Sequence, residues 1–97
     1  MRLEWSNESA ADLREIHALI QNENPSAASR VICGIRESTQ LLADNPLMGR
    51  VGGVAGTREL VISVYPYIVI YRIGAKSVRV LAVIHTSRHW QAGFDRE

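Results

Sequence analysis

The first half of the chain spaces its apolar residues as an amphipathic helix does. Residues 1–5 alternate polar and apolar side chains, which predicts a short strand. A serine and an asparagine follow at positions 6 and 7, and either can accept a hydrogen bond from an unpaired amide at a helix start. Leu13, Ile16 and Ile20 then recur at steps of three and four residues. This pattern predicts a helix of about four turns.

A second helix is predicted after a break at Asn24 and Pro25. Asparagine caps a helix well, and proline suits the first helical position because no amide hydrogen is needed there. The helix should end near Asp44, because the residue before Pro46 is disfavoured in helical geometry. The two helices predict a helical hairpin over 7–45. The apolar stripe of the second helix comprises Ala28, Val31, Ile32, Ile35 and Leu42.

The second half of the chain alternates as strands do. Residues 46–57 hold four of the seven glycines and predict an exposed, mobile loop. A three-stranded antiparallel region is predicted over 57–85, and a polar tail over 86–97. The predicted strands are Thr57–Tyr65, Tyr67–Ile73 and Ser77–His85.

Strict alternation assigns the residues of the third of these strands to two faces. It places Val78, Val80, Ala82 and Ile84 on one face, and Arg79, Leu81, Val83 and His85 on the other. The element order is therefore β-αα-βββ, which predicts an α+β domain with the helical hairpin packed on a small antiparallel sheet. We expect the first strand to join this sheet, at a position that the pattern leaves open.

Composition bounds the class of protein. A chain of 97 residues with 46% apolar residues predicts one packed domain over 1–97. Cys33 is the single cysteine, which excludes an intrachain disulfide and favours a reducing compartment. No signal segment stands at the N-terminus, and no apolar run approaches the ~20 residues of a membrane span. We therefore expect a cytoplasmic protein with no membrane partner.

The net charge of +1 conceals an uneven distribution. Residues 1–48 carry four arginines against seven acidic residues, whereas residues 49–97 carry seven basic residues against three acidic ones. Lys76 is the single lysine. The basic half predicts a surface that faces an anionic partner.

Familiar catalytic motifs are missing from the sequence. The glycine-rich segment lacks the Lys-Ser/Thr ending of a phosphate-binding loop, and the histidines are too scattered around Cys33 to predict a metal site. We expect no cofactor and no metal. Cys33 falls within the apolar sector of the second helix, which predicts a buried side chain.

Basic residues on the predicted sheet form the remaining candidate site. They are Arg58, Arg72, Lys76, Arg79, His85 and Arg88. Cleavage of RNA by its own 2′-hydroxyl needs a base, an acid and positive charge on the phosphate, which Glu59 or His85 together with the arginines can supply. A structural interpretation competes with this one. Arg58 then belongs to a salt bridge and His85 is a hydrogen-bonded strand end.

Seven segments of the chain, in order and at matching spacing, resemble the RelE/ParE superfamily of toxins from type II toxin–antitoxin pairs. The resemblance covers residues 2–90. The segments are Leu3-Glu4-Trp5-Ser6, Ala11-Asp12-Leu13-Arg14-Glu15-Ile16, Asn24-Pro25-Ser26-Ala27-Ala28, Leu41-Leu42-Ala43-Asp44-Asn45-Pro46-Leu47-Met48-Gly49-Arg50, Gly56-Thr57-Arg58-Glu59-Leu60-Val61, Tyr67-Ile68-Val69-Ile70-Tyr71-Arg72 and Val80-Leu81-Ala82-Val83-Ile84-His85.

This resemblance implies a growth-inhibiting toxin held inactive in a hetero-oligomer with a cognate antitoxin. RelE-like members cut mRNA on the ribosome, whereas ParE-like members block DNA gyrase without nuclease chemistry. The hairpin and its Asn-Pro-Leu-Met-Gly-Arg exit look closer to ParE. A gyrase inhibitor is therefore our first hypothesis, a ribosome-dependent mRNA endonuclease the second, and a non-toxic binding module the third.

The same resemblance suggests residues for each activity. A nuclease would use Arg58, Arg72, His85 and Arg88 as catalytic residues. Target or antitoxin binding would use Arg50, Arg58, Arg72, Arg79, Arg88 and Trp90. We also expect an antitoxin helix to fill an apolar groove between the helical hairpin and the sheet.

Overall fold

Two helices and five strands make up the part of the chain that the structure, a computed structural model, describes, namely residues 1–87. In chain order they are β1 (Arg2–Trp5), α1 (Asn7–Gln21), α2 (Pro25–Gln40), β2 (Arg50–Val51), β3 (Arg58–Val61), β4 (Tyr67–Ile73) and β5 (Ser77–His85). A single 3₁₀ turn, Leu41–Ala43, follows α2. The predicted α+β class and helical hairpin are confirmed.

Both helices begin at side-chain caps. The Oγ of Ser6 accepts a hydrogen bond from the amide of Ser9 at 3.0 Å, and the Oδ1 of Asn24 accepts one from the amide of Ala27 at 3.2 Å. Pro25 occupies the first position of α2, where its missing amide hydrogen costs nothing. These local contacts fix the entry of each helix and explain why the helix starts are predictable.

The sheet has the order β1-β5-β4-β3-β2. β1 lies at one edge and pairs in parallel with β5, while the other neighbours are antiparallel. A parallel pair needs a long crossover connection, and the helical hairpin begins that connection. The sheet is therefore mixed, and the position of the first strand, which the sequence left open, is at the edge beside β5.

One expectation for residues 46–57 is wrong. This segment is not entirely loop, because β2 pairs with β3 through Arg50 opposite Glu59 and Val51 opposite Arg58. Two residues are too few for an alternation pattern to reveal, and the surrounding glycines conceal them. The segment gives the sheet its second edge.

A single large core lies between the helices and the face of the sheet that we call the inner face. Ile35 and Leu42 from the helical side and Tyr71 and Val80 from the sheet have no exposed surface. The space where we expected an antitoxin groove is therefore packed with the chain's own side chains. Along its border lie partly buried apolar residues, namely Leu3, Trp5, Ile20, Ile32, Tyr65, Tyr67 and Ile73.

A β-bulge in β5 overturns the predicted alternation of that strand. Val80 lies opposite Tyr71 and Ala82 lies opposite Ile70, so that Leu81 is inserted between them. The extra residue reverses the faces that follow. Val83 therefore joins the core on the inner face, whereas Leu81 and Ala82 share a small cluster on the opposite, outer face with Ile70.

The expectation that Cys33 is buried is also wrong, because its side chain is exposed. Val31 and Ile35 are the buried residues on either side of it. A separation of two residues rotates a side chain by about 200° around a helix, so Cys33 points away from the core. Within residues 1–87, no helix combines the length and the apolar character that crossing a membrane requires.

Candidate functional site

The segment that leaves the helical hairpin is held against the sheet by Tyr71. The ring of Tyr71 is buried in the core, and its hydroxyl donates a hydrogen bond to the carbonyl of Pro46 at 2.7 Å. The same hydroxyl accepts one from the amide of Gly49 at 2.9 Å. A Cβ atom on Gly49 would lie 2.6 Å from the Tyr71 hydroxyl and 2.8 Å from the carbonyl oxygen of Glu59. Glycine is therefore required where this segment meets the sheet.

Arg58 holds the same segment from β3. Its Nε and Nη2 donate to the carbonyl of Gly49 at 3.1 and 2.7 Å, and Nη2 also donates to the carbonyl of Leu47 at 3.3 Å. Arg58 lies opposite Tyr71 in the ladder, so its side chain is on the inner face. The guanidinium thus has a structural role, through hydrogen bonds to carbonyls rather than through the salt bridge that the sequence suggests.

Glu59 instead pairs with Arg50. The Nε and Nη2 of Arg50 donate to Oε1 of Glu59 at 3.1 and 2.9 Å, and the amide of Gly53 donates to Oε2 at 3.3 Å. The Glu59 carboxylate is mostly buried while the Arg50 side chain is largely exposed. This pair fastens the edge strand β2 and the following loop to β3.

The segment held in this way presents apolar side chains to the surroundings. Leu47, Met48 and Val51 are 70%, 45% and 76% exposed. Their backbone is fixed by Tyr71, Arg58 and the pairing of β2. Exposed apolar side chains on a fixed backbone form a surface suited to protein contacts.

Arg72 and Arg79 lie directly opposite each other on β4 and β5. Both are exposed and both lie on the outer face, because each is next in sequence to an inner-face residue, Tyr71 and Val80 respectively. Gly56, with a positive φ of 81°, lies beside Arg72, since a Cβ there would come within 2.8 Å of Nη1. Arg79 Nη1 approaches Oε2 of Glu4 at 3.8 Å.

His85 is exposed at the end of β5. Its Nδ1 accepts a hydrogen bond from the amide of Ser87 at 3.1 Å and lies 2.9 Å from the Ser87 hydroxyl. An amide can only donate, so Nδ1 is the acceptor in the contact with the Ser87 amide. The ring also makes an edge-to-face contact with Tyr67 at 5.5 Å between centroids. These contacts match the structural interpretation of His85.

The sequence-predicted catalytic residues that the structure describes do not come together. Arg58 is on the inner face and Arg72 is on the outer face. His85 lies opposite Tyr67, five residues along β4 from Arg72 and thus roughly 16 Å away along the strand. The remaining candidates, Arg88 and Trp90, lie outside the described residues.

Sequence reasoning missed two structural roles at this site. In the sequence, Tyr71 looks like an ordinary residue of an apolar strand. The residues next to it in sequence give no sign that its hydroxyl contacts Pro46 and Gly49, which are more than twenty residues away. Gly49 lies in the segment 46–57, for which the sequence predicts a mobile loop. The motif Asn-Pro-Leu-Met-Gly-Arg is the sequence signal that points to this segment.

Within residues 1–87, no group of three His, Cys, Asp or Glu side chains is placed so that it could hold a metal ion.

Comparison with known proteins gives one consistent family. The family model "ParE toxin of type II toxin-antitoxin system, parDE" matches residues 3–90. "Putative toxin Y4kP" of Sinorhizobium fredii is 39% identical over 89 residues, which cover 92% of each chain. "Toxin RelE2" of Caulobacter vibrioides is 32% identical over 84 residues, covering 87% of this chain and 93% of the relative.

The fold has a solved counterpart. A chain of the "Chromosomal ParDE TA system from P. aeruginosa" superposes with a TM-score of 0.81 at 27% identity, covering 88% of this chain and 95% of that one. Its agreement with the α+β fold, together with the match of the family model to nearly the whole chain, confirms the resemblance seen in the sequence. The chain belongs to the ParE toxin family of type II toxin–antitoxin systems, within the RelE/ParE superfamily.

Proposed function

We propose that this toxin stops growth by binding and blocking DNA gyrase, and that a cognate antitoxin neutralises it. The observation that carries the proposal is the separation of the nuclease candidates. The Arg58 guanidinium donates hydrogen bonds to the carbonyls of Leu47 and Gly49. Arg72 lies on the opposite face of the sheet, and His85 lies near the far end of the β4–β5 pair. General acid–base cleavage needs its groups within hydrogen-bond reach of one substrate. Such an arrangement favours inhibition by binding over cleavage of mRNA.

The antitoxin proposal has support of its own. The structural relative comes from a system named ParDE, a toxin–antitoxin pair. In this chain the border of the core leaves apolar side chains partly exposed, among them Ile20, Ile32 and Tyr65. An amphipathic antitoxin segment laid along that border would bury them, and we propose a hetero-oligomer in the cytoplasm, where gyrase works.

Two assays on one preparation of the full chain test the gyrase proposal. We expect the wild-type protein to block supercoiling of relaxed plasmid by gyrase at near-stoichiometric amounts, and to leave ribosome-bound mRNA intact. Addition of the cognate antitoxin should restore supercoiling. Mapped cuts in ribosome-bound mRNA, with no effect on gyrase at large excess, would instead establish the endonuclease.

His85→Ala separates the two activities further. Because His85 is exposed and its ring interacts with the neighbouring Ser87 and Tyr67, we expect the variant to inhibit gyrase as the wild type does. A nuclease that uses His85 would lose cleavage in the same preparation. Normal growth on induction of the wild-type toxin without antitoxin would support the third hypothesis, a non-toxic binding module.

A further inference from the structure

The outer face of the sheet brings two like charges into direct opposition. Arg72 and Arg79 form a cross-strand pair, and directly opposite residues in an antiparallel ladder point their side chains the same way. Like charges in this position destabilise a sheet. Among residues 1–87, no side chain forms an ion pair or hydrogen bond with the Arg72 guanidinium. The guanidinium of Arg72 thus faces a like charge without an anionic partner among the described residues, and an anion bound there would lower the repulsion between the two side chains.

Two further cations lie at the same end of the sheet. Arg2 pairs with Ser77 beside Arg79, and Lys76 is exposed in the turn between β4 and β5. We call Arg2, Arg72, Lys76 and Arg79 the outer basic patch. Glu4 lies within it, with Oε1 2.8 Å from Arg2 Nη2 and Oε2 3.8 Å from Arg79 Nη1. Among residues 1–87, Glu4 is the one carboxylate that forms an ion pair within this group of four cations, so the described part of the patch carries a net positive charge.

The surroundings of the patch offer little to a protein partner. The apolar residues of the outer face nearest to the two arginines, namely Ile70, Leu81 and Ala82, have no exposed surface. An acidic peptide would therefore gain chiefly exposed ion pairs, which contribute little in water. The exposed apolar side chains of the protein lie elsewhere, for example at Leu47 and Val51.

Aromatic side chains are likewise directed away from the patch. Trp5, Tyr65, Tyr67 and Tyr71 all pack with the core on the inner face. Proteins that hold single strands stack bases on exposed aromatic rings, and the outer face has none within residues 1–87. A polyanion whose bases are already stacked, a nucleic-acid duplex, matches this surface because only its phosphates need to be met.

We propose that the outer basic patch binds the phosphate backbone of duplex DNA. Arginine suits phosphate because its planar fork makes paired hydrogen bonds and its charge is permanent. This inference deepens the proposed function and rests on it, since gyrase holds duplex DNA while it works. A toxin that binds both the enzyme and the adjoining DNA would be retained on the complex longer than one that binds the enzyme alone.

The test is a titration of a labelled DNA duplex with the purified full chain at a series of NaCl concentrations. Each phosphate contact made by a basic side chain contributes a slope of about −0.9 to the plot of log affinity against log salt. We expect Arg72→Gln/Arg79→Gln to make the slope shallower by about two and to weaken binding. Lys76→Gln, in an exposed turn, should make it shallower by about one.

Arg14→Gln/Arg30→Gln is the matched control. Both residues are exposed on the helices and lie outside the patch, and the double variant loses the same two charges. We expect its slope to equal that of the wild type. Thermal unfolding should show that the patch variants remain folded, because each removes a cation from a crowded surface.

Three results would overturn this inference. They are no measurable duplex binding by the wild type at low salt, equal changes of slope in the patch and control variants, and loss of antitoxin binding rather than DNA binding in the patch variant. The last would assign the patch to an acidic antitoxin segment. A toxin that binds duplex DNA as expected but leaves supercoiling unchanged would refute the gyrase proposal and leave the DNA surface standing.

Discussion

The carboxylate of Asp12 accepts a hydrogen bond from the backbone amide of Val83 at 3.0 Å, which ties α1 to β5 just after the bulge. β1 ends at Trp5, so the edge of β5 beyond Val80 has no neighbouring strand. The start of α1 takes over there, with the Ser6 hydroxyl donating to the carbonyl of Leu81 at 3.4 Å. Side chains of the first helix thus complete the hydrogen bonding that the edge strand leaves open.

We expect Asp12→Ala to lower the free energy of unfolding by about 1–3 kcal/mol, because the partly buried Val83 amide would lose its acceptor. Urea denaturation of the full chain measures this change. Glu15→Ala, at an exposed position of the same helix, is the matched control and should change stability by less than about 0.5 kcal/mol. Equal effects of the two substitutions would contradict a specific role for the Asp12 carboxylate.

Tyr71→Phe should also destabilise the protein by about 1–3 kcal/mol, because it leaves the carbonyl of Pro46 and the amide of Gly49 without their shared partner. The substitution should also loosen the segment around Gly49 in the folded protein. Hydrogen exchange at the Gly49 amide should accelerate more than exchange in the core strands. Tyr67→Phe is the control, since the Tyr67 hydroxyl has no hydrogen bond to the described residues. If Tyr67→Phe accelerated exchange at the Gly49 amide as much as Tyr71→Phe does, the assigned role of Tyr71 would be refuted.

Replacement by alanine should lower the free energy of unfolding more at Arg58 than at Arg50. Arg58→Ala removes three hydrogen bonds to backbone carbonyls and should cost about 1–3 kcal/mol of unfolding free energy. Arg50→Ala removes an ion pair whose arginine is largely exposed, and the Gly53 amide still donates to the Glu59 carboxylate, so we expect a cost below about 1 kcal/mol. Thermal unfolding of both variants measures the difference. The reverse order would show that Arg58 is held for a ligand rather than for the fold.

Cys33 should react with a thiol reagent in the folded protein. Its side chain is exposed, so the native chain should be modified at nearly the rate of the unfolded chain, with one thiol modified per molecule. Cys33→Ser should leave stability within about 0.5 kcal/mol of the wild type. Strong protection of the thiol in the native state would contradict the observed orientation of α2.

Sequence patterns were reliable where structure is set by near neighbours. The helix caps at Ser6 and Asn24 act on amides three residues away, so the helix starts follow directly from the sequence. Strand pairing depends on distant partners instead. The two-residue strand β2 is defined by its pairing with β3, in which Arg50 lies opposite Glu59. The bulge at Leu81 is likewise defined by the register between β4 and β5. The assignment of Ala82 and Val83 to faces failed for that reason.

The arginines of the candidate site could be identified from the sequence, but their positions on the two faces of the sheet and their hydrogen-bond partners could not. Alternation along β4 indicates that Arg72 and Tyr71 point to opposite faces. The sequence does not show that Arg58 shares the face of Tyr71, because that follows from their pairing in the ladder. Nor does it show that carbonyls of the hairpin exit occupy the Arg58 guanidinium. These contacts give Arg58 a structural role in holding the hairpin exit.

The pairing of β1 with β5 also sets the order of events during synthesis. Residues 2–5 leave the ribosome before the strand that they join, which spans residues 77–85. Until that strand has emerged, β1 has no neighbour and Asp12 has no amide to accept from. Closing so long a loop is entropically costly and slow. The edge strand β1 therefore joins the sheet late, because its pairing can form only after residues 77–85 have emerged.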